Sequence, residues 1–222
     1  MKVKSKQLVA IFLEIMIVIV GISIAFALDN WASDKKEQKL ERQFKTSLIS
    51  DLNKDIQDLN EIIDSTQVII GHVGQIFEYN YGGRADSLFR RHHIISTYLA
   101  NYFYPQHGTY VSLVNSGEIN VLGQFQLRKA LSDHYNVTLK EVERTDDVIR
   151  NLADNVISPY ILENIQFSFD RDGIVSADPL KTTKATNMIG IYFNLLSGRQ
   201  QIYKDLINKS NSLIALINDT IE

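Results

Sequence analysis

The chain contains no cysteine, which excludes a disulfide framework, Cys-ligated zinc and any thiol nucleophile. Proline is scarce, with 3 in 222 residues, so long helices meet few obligatory breaks. Gly-rich phosphate loops, a G-x-S-x-G elbow and an H-E-x-x-H pair are missing, so no catalytic residue and no cofactor is expected. An excess of positive charge is missing too. Removing Lys2, Lys4, Lys6 and Glu14 from the 23 basic and 26 acidic residues leaves 20 against 25. That acidic remainder lacks the basic face that nucleic-acid binding requires, and no nucleic-acid partner is expected. With 45% apolar and 22% charged residues, the composition is that of a folded protein with one core.

What the chain does have is one long apolar run. Leu8 to Leu28 reads LVAIFLEIMIVIVGISIAFAL, 21 residues, which as a helix spans about 31 Å and matches a bilayer hydrocarbon core. Glu14 is its one ionisable residue, costing about 3 kcal/mol near a helix centre, while 14 Leu, Ile, Val and Phe residues return about 0.4 kcal/mol each. Insertion is favoured, with the bilayer as first partner. Trp31 follows where an indole prefers the headgroup boundary and is read as an interface anchor. A cleaved signal peptide competes, because Lys2, Lys4 and Lys6 form a basic flank and Ala25-Phe26-Ala27 resembles a cleavage site. The apolar run exceeds an ordinary signal core and carries a carboxylate, which favours an uncleaved anchor.

The expected organisation is a short cytoplasmic tail at 1–7, a transmembrane helix at 8–28 and a soluble helical domain at 29–222. The basic N-terminal flank points to an inner (cytoplasmic) membrane with the main domain periplasmic. Lys35, Lys36, Lys39 and Arg42 on the other flank weigh against that orientation.

Glu14 to Trp31, EIMIVIVGISIAFALDNW, resembles the anchor of an uncharacterised family of single-pass membrane proteins abundant in Bacteroidota, in which Glu-Ile opens an apolar run, Gly-Ile marks its centre and Asn-Asn-Trp follows. Asp29 stands where that family usually has Asn. Tyr110-Val-Ser-Leu-Val-Asn-Ser-Gly-Glu-Ile119 is similar to its mid-chain element. The resemblance implies a membrane location and a helical domain, and it implies no reaction.

Beyond Trp31 the pattern predicts an all-α fold, an elongated antiparallel bundle. Leu52, Ile56, Leu59, Ile63, Thr66, Ile70, Val73 and Phe77 mark one face of a helix over about 31–80 that ends at Gly82-Gly83. Its charged start, SDKKEQKLERQFK, reads as a solvated stalk (about 31–50), with packing from near Leu40 and Phe44 and the bundle over about 51–222. Anchor and stalk can form one continuous helix. Asp86 can cap a second helix through about Phe103, broken by Pro105 and Gly108. Thr109 can cap a short helix to Ser116-Gly117. Leu127, Leu131, Tyr135, Leu139, Val142 and Val148/Ile149 mark a helix over about 123–153, and Pro159 should kink or restart the chain. Residues 166–183 read as the longest loop. The last helix, about 184–221, carries Tyr203, Ile207, Ile214, Ile217 and Ile221 on one side, with Leu206 and Leu213 adjoining. Gly71, Gly74 and Gly190 read as points of close packing or local weakness.

Candidate sites are few. Gly21 and Ala25 fall within about 20° of Glu14 around a helix, forming a polar and small-residue contact face. Glu14 could pair with a partner helix, move an ion, or simply snorkel to the headgroups or stay protonated. His72, His92, His93, His107 and His134 offer no i, i+4 pair, since His92 and His93 point about 100° apart, and no metal site is expected. Asp170-Arg171-Asp172-Gly173 fails the full spacing of a calcium loop. Tyr98, Tyr102 and Tyr104 could line a groove, although such clusters are more often core. The favoured expectation is a non-enzymatic membrane-anchored scaffold or binding protein, a homo-oligomer or a partner of another inner-membrane protein. An ion-coupled or signal-transmitting subunit using Glu14 is the alternative, and an enzyme with an unrecognised helical site is a third.

Overall fold

A computed structural model describes residues 5–82, 90–168 and 173–220, with side chains from residue 10 onward. Asp86, Asp170 to Asp172, Gly83, Ile221 and Lys2 and Lys4 lie outside the described residues.

The fold is all-α. Helix α1 (Ser5–Gly82) runs without interruption from within the expected N-terminal tail, through the apolar run and charged stretch, into the domain. No proline falls within it, and the apolar run and the charged stretch are therefore one rod. Every side chain over 32–39 is exposed. Packing begins at Leu40 and Phe44, as the pattern predicts, but Lys45 within the charged stretch is buried. Its ammonium donates to Thr220 O at 2.5 Å and pairs with Glu41 at 2.7 Å.

Further along α1, Leu48, Leu52, Asp55, Leu59, Ile62, Thr66, Val73, Ile76 and Tyr79 are buried. The stripe is rotated from the predicted one, and Ile56, Ile63, Ile70 and Phe77 are only half-buried. The rotation follows from α1 meeting two partner helices, which cover a wider arc than a single apolar line.

Helix α2 spans only Arg91–Ile95, against a predicted helix to Phe103. Ser96 and Thr97 hydroxyls donate to the carbonyls of His92 and Ile94, which also accept the Ser96 and Thr97 backbone amides. The amides beyond are then taken by carboxylates from other helices: Phe103 N donates to Asp146 (3.2 Å), Gln106 N to Asp55 (2.8 Å) and Thr109 N to Asp51 (3.3 Å). Helix α3 (Gly108–Asn115) follows, with Thr109 inside it rather than capping it.

From Phe125 to Asn164 the chain stays helical: α4 (Phe125–Asp133), a π turn (His134–Thr138), α5 (Leu139–Leu152), a second π turn (Ala153–Ile157) and α6 (Ser158–Asn164). At Pro159 the chain stays helical, with the proline in the first turn of α6 directly after the second π turn. Proline's missing donor and ring clash are absorbed where the preceding turn is widened to π spacing. Within the expected loop, β1 (Phe167–Ser168) and β2 (Gly173–Ile174) pair antiparallel. Helix α7 (Thr183–Asp219) then opens on Thr182, whose hydroxyl accepts Ala185 N at 3.2 Å.

α7 runs antiparallel to α1: Lys45 meets Thr220, Thr66 meets Arg199, and Phe77 meets Phe193 edge-on at 5.7 Å. It is also antiparallel to α4–α6, since Asp146 meets Tyr203 and Tyr160 meets Thr182. The result is an elongated three-layer bundle with two apolar cores. One is centred on Leu52, Leu59, Leu131 and Leu206, the other on Val73, Ile149, Ile157 and Tyr192. Gly190 lies against Phe77, while Gly71 and Gly74 border open space.

Candidate functional site: an apolar span, a buried ion pair and a histidine trio

Three places on this frame carry chemistry. The first is the N-terminal part of α1. From Ile11 to Leu28 the large apolar side chains are 44% to 67% exposed, and they point to every side of the helix. No other described residue covers them. Glu14 stands among them with no hydrogen bond or ion pair to any described residue. Gly21 has only open space around it. Trp31 is 62% exposed, one helical turn beyond the apolar run.

The second is a polar layer between the two cores. Arg199 of α7 and Asp146 of α5 are both buried and lie 3.4 Å apart. The Arg199 guanidinium also donates to Asn101 O at 2.9 Å and to Thr66 Oγ1 at 2.8 Å, and it lies 5.3 Å from the Tyr203 ring. Asp146 accepts from Tyr203 Oη at 2.7 Å and from Phe103 N. Burial and the ionised Asp146 make the Tyr203 hydroxyl a weaker acid than usual, so it remains a donor. Below this layer, burial lifts the Asp55 carboxyl to about 7, against the acidifying Gln106 amide. Asp55 Oδ2 and Tyr135 Oη are buried without a hydrogen-bond partner among the described residues.

The three tyrosines do not form one groove. Tyr98 and Tyr102 pack against the apolar core farther from the span, and Arg150 lies 4.5 Å from the Tyr102 ring. Tyr104 is exposed and lines a cleft of about 320 Å³ with Pro105, His107, Glu143, Asp147 and Arg150.

The third place is a meeting of His72, from α1, with His92 and His93 of α2. One ring nitrogen from each lies within 4.8 Å of the others. Helical spacing weighs only pairs within one segment, and His72 arrives from 20 residues away in sequence. Its one sequence signal is that three of the five histidines fall within a short stretch. Burial, then the neighbouring His92, holds His72 below the ordinary histidine range. His134 is separate. Burial, then Lys209, holds it down at about 4, and it borders a cleft of about 450 Å³ with Asn208 and Leu216.

Together these features define an all-α protein with, among the described residues, one helix long and apolar enough to cross a membrane and a helical domain built onto that same helix. The chain belongs to a family of unknown function, DUF6090, whose model matches residues 14–158. The matched stretch opens at Glu14 and holds the three histidines and Asp146, while Arg199 and Tyr203 lie beyond it. No curated protein and no solved structure matches the chain.

Proposed function

We propose that this is a single-pass inner-membrane protein whose helical domain serves as a scaffold or binding module on the periplasmic side, without catalytic activity. The observation that carries the reading is the bare apolar collar of α1. A span of leucine, isoleucine, valine and phenylalanine exposed on all sides is stable only when lipid covers it. Because α1 continues into the bundle, the rod sets the height of the domain: about 20 residues, or 30 Å, separate Leu28 from the first core residue, Leu48. Glu14, Gly21 and Ala25 give the span a face for a second copy of the chain or another inner-membrane helix.

The absence of cysteine makes a clean test available. Single Val18→Cys and Ser33→Cys variants are probed with a membrane-impermeant maleimide on intact spheroplasts, alongside alkaline carbonate extraction. The expected result is retention in the membrane pellet, labelling of Ser33→Cys and protection of Val18→Cys. Release into the supernatant would refute the anchor, and labelling of Ser33→Cys only after lysis would reverse the orientation.

A second reading, an ion-coupled or signal-transmitting subunit of a larger complex, is favoured by the Glu14 carboxylate, which has no partner among the described residues. Under it, Glu14→Gln abolishes function while insertion and assembly persist. Under the scaffold reading, assembly itself weakens.

A further inference from the structure

We propose that His72, His92 and His93 form a binding site for a late first-row divalent ion, Zn²⁺ or Cu²⁺, on the domain far from the span. Their ring centroids lie 4.9 Å (His72 to His92), 5.1 Å (His72 to His93) and 4.1 Å (His92 to His93) apart. A nitrogen from each falls within 4.8 Å of the other two, so modest side-chain movement brings all three to one ion at about 2 Å.

The hydrogen bonds around the trio prepare it for this role. Ser96 Oγ contacts both His92 O and His72 Nδ1 at 2.8 Å. The hydroxyl has one proton, and a carbonyl can only accept, so Ser96 donates to His92 O. The proton between Ser96 and His72 therefore belongs to Nδ1, which leaves the Nε2 lone pair of His72 available. A ligand histidine whose other nitrogen donates to a fixed oxygen is the usual support of a metal-bound imidazole. His92 is exposed and gives the ion access from solvent.

His93 is the member that must change. It is buried, and its Nδ1 accepts the Arg90 amide at 2.9 Å, which places the ring proton on Nε2. Coordination through Nε2 moves that proton to Nδ1 and releases the Arg90 amide.

Three imidazoles, with no carboxylate beside them among the described residues, favour borderline ions such as Zn²⁺ and Cu²⁺ over Mg²⁺ and Ca²⁺, which take oxygen ligands. A fourth position stays open to water or to a ligand from a bound partner.

The test uses the untagged full-length chain in detergent, stripped with a chelator and titrated with Cu²⁺ or Zn²⁺. We expect one ion per chain, nitrogen superhyperfine structure in the Cu²⁺ paramagnetic resonance spectrum, and a melting temperature raised by Zn²⁺. His72→Gln or His92→Gln should weaken binding about 100-fold and Ser96→Ala about 10-fold, the range for a lost ligand support. His107→Gln and His134→Gln are controls that leave affinity unchanged. Circular dichroism confirms that each variant is folded, and the buried His93 is left alone for that reason. Binding that persists undiminished in folded His72→Gln/His92→Gln, or a wild-type chain that binds neither ion, overturns the proposal.

Discussion

Two carboxylates on long helices, Asp146 and Glu14, occupy opposite positions in this molecule. Asp146 lies in the middle of the bundle, and the fold brings it an arginine and a tyrosine hydroxyl from α7 and a backbone amide from Phe103. Glu14 stands in an apolar stretch of α1 and receives no such partner from the described residues. A charge removed from water is stable only when paired and hydrogen-bonded. The chain therefore solves the problem internally in the domain, and under the membrane reading proposed above it leaves the problem to be solved externally at Glu14, by a headgroup, a proton or another helix. That contrast points to the span as a place of contact.

The contrast is most easily broken at Asp146. Asp146→Ala leaves the Arg199 guanidinium buried and uncompensated and should cost about 3–5 kcal/mol in denaturant unfolding, whereas Asp146→Leu with Arg199→Met should recover much of that loss. A cost below about 1 kcal/mol would place the pair among surface bridges and erase the distinction.

A second effect sharpens it within the domain. Folding raises the Asp55 carboxyl from 3.8 to about 7, so the folded state holds this proton more tightly than the unfolded chain. Its contribution is fully present below about pH 4, falls as pH rises towards 7 and is gone above it. Solvent screening reduces the effect to about 2 kcal/mol. Asp55→Asn should remove that part of the slope between pH 4 and 7 in thermal melts, and an unchanged slope would count against the burial of Asp55.

In the span the energies are smaller. Gly21→Ile fills the close-approach face and should cost about 1 kcal/mol of association, read as reduced disulfide crosslinking of an Ala25→Cys reporter in native membranes. Glu14→Gln should lower the same signal less, since an amide still hydrogen-bonds. Crosslinking insensitive to both changes would remove the face from the account.

The sequence made much of this frame legible, for reasons that mark the limit of such reading. Helices α1 and α7 announce themselves through apolar period, and Leu127 to Ile149 likewise trace α4 and α5, because those signals are local. The short α2 does not. It gives way to a segment whose Phe103, Gln106 and Thr109 amides are taken by Asp146, Asp55 and Asp51, each more than 40 residues away. The two π turns, and with them the helix through Pro159, leave no trace in apolar spacing. Of the sites, Glu14 was visible as a lone charge in an apolar run. The histidine trio was not, since it depends on where α2 folds back onto α1. The tyrosine cluster divided for a related reason: with no helix from residue 98 to 104, side chains expected on one surface point to different ones.

The most direct test places a photo-crosslinking amino acid, one position at a time, at Gly21, Ala25, Ile19 and Ser23 in native membranes. Gly21 and Ala25 lie about 20° from Glu14, whereas Ile19 and Ser23 lie about 140° and 180° away. The account predicts protein adducts at Gly21 and Ala25, only lipid adducts at Ile19 and Ser23, and loss of the protein adducts on Glu14→Ala. Lipid adducts at all four positions, or protein adducts equal at all four, would contradict it.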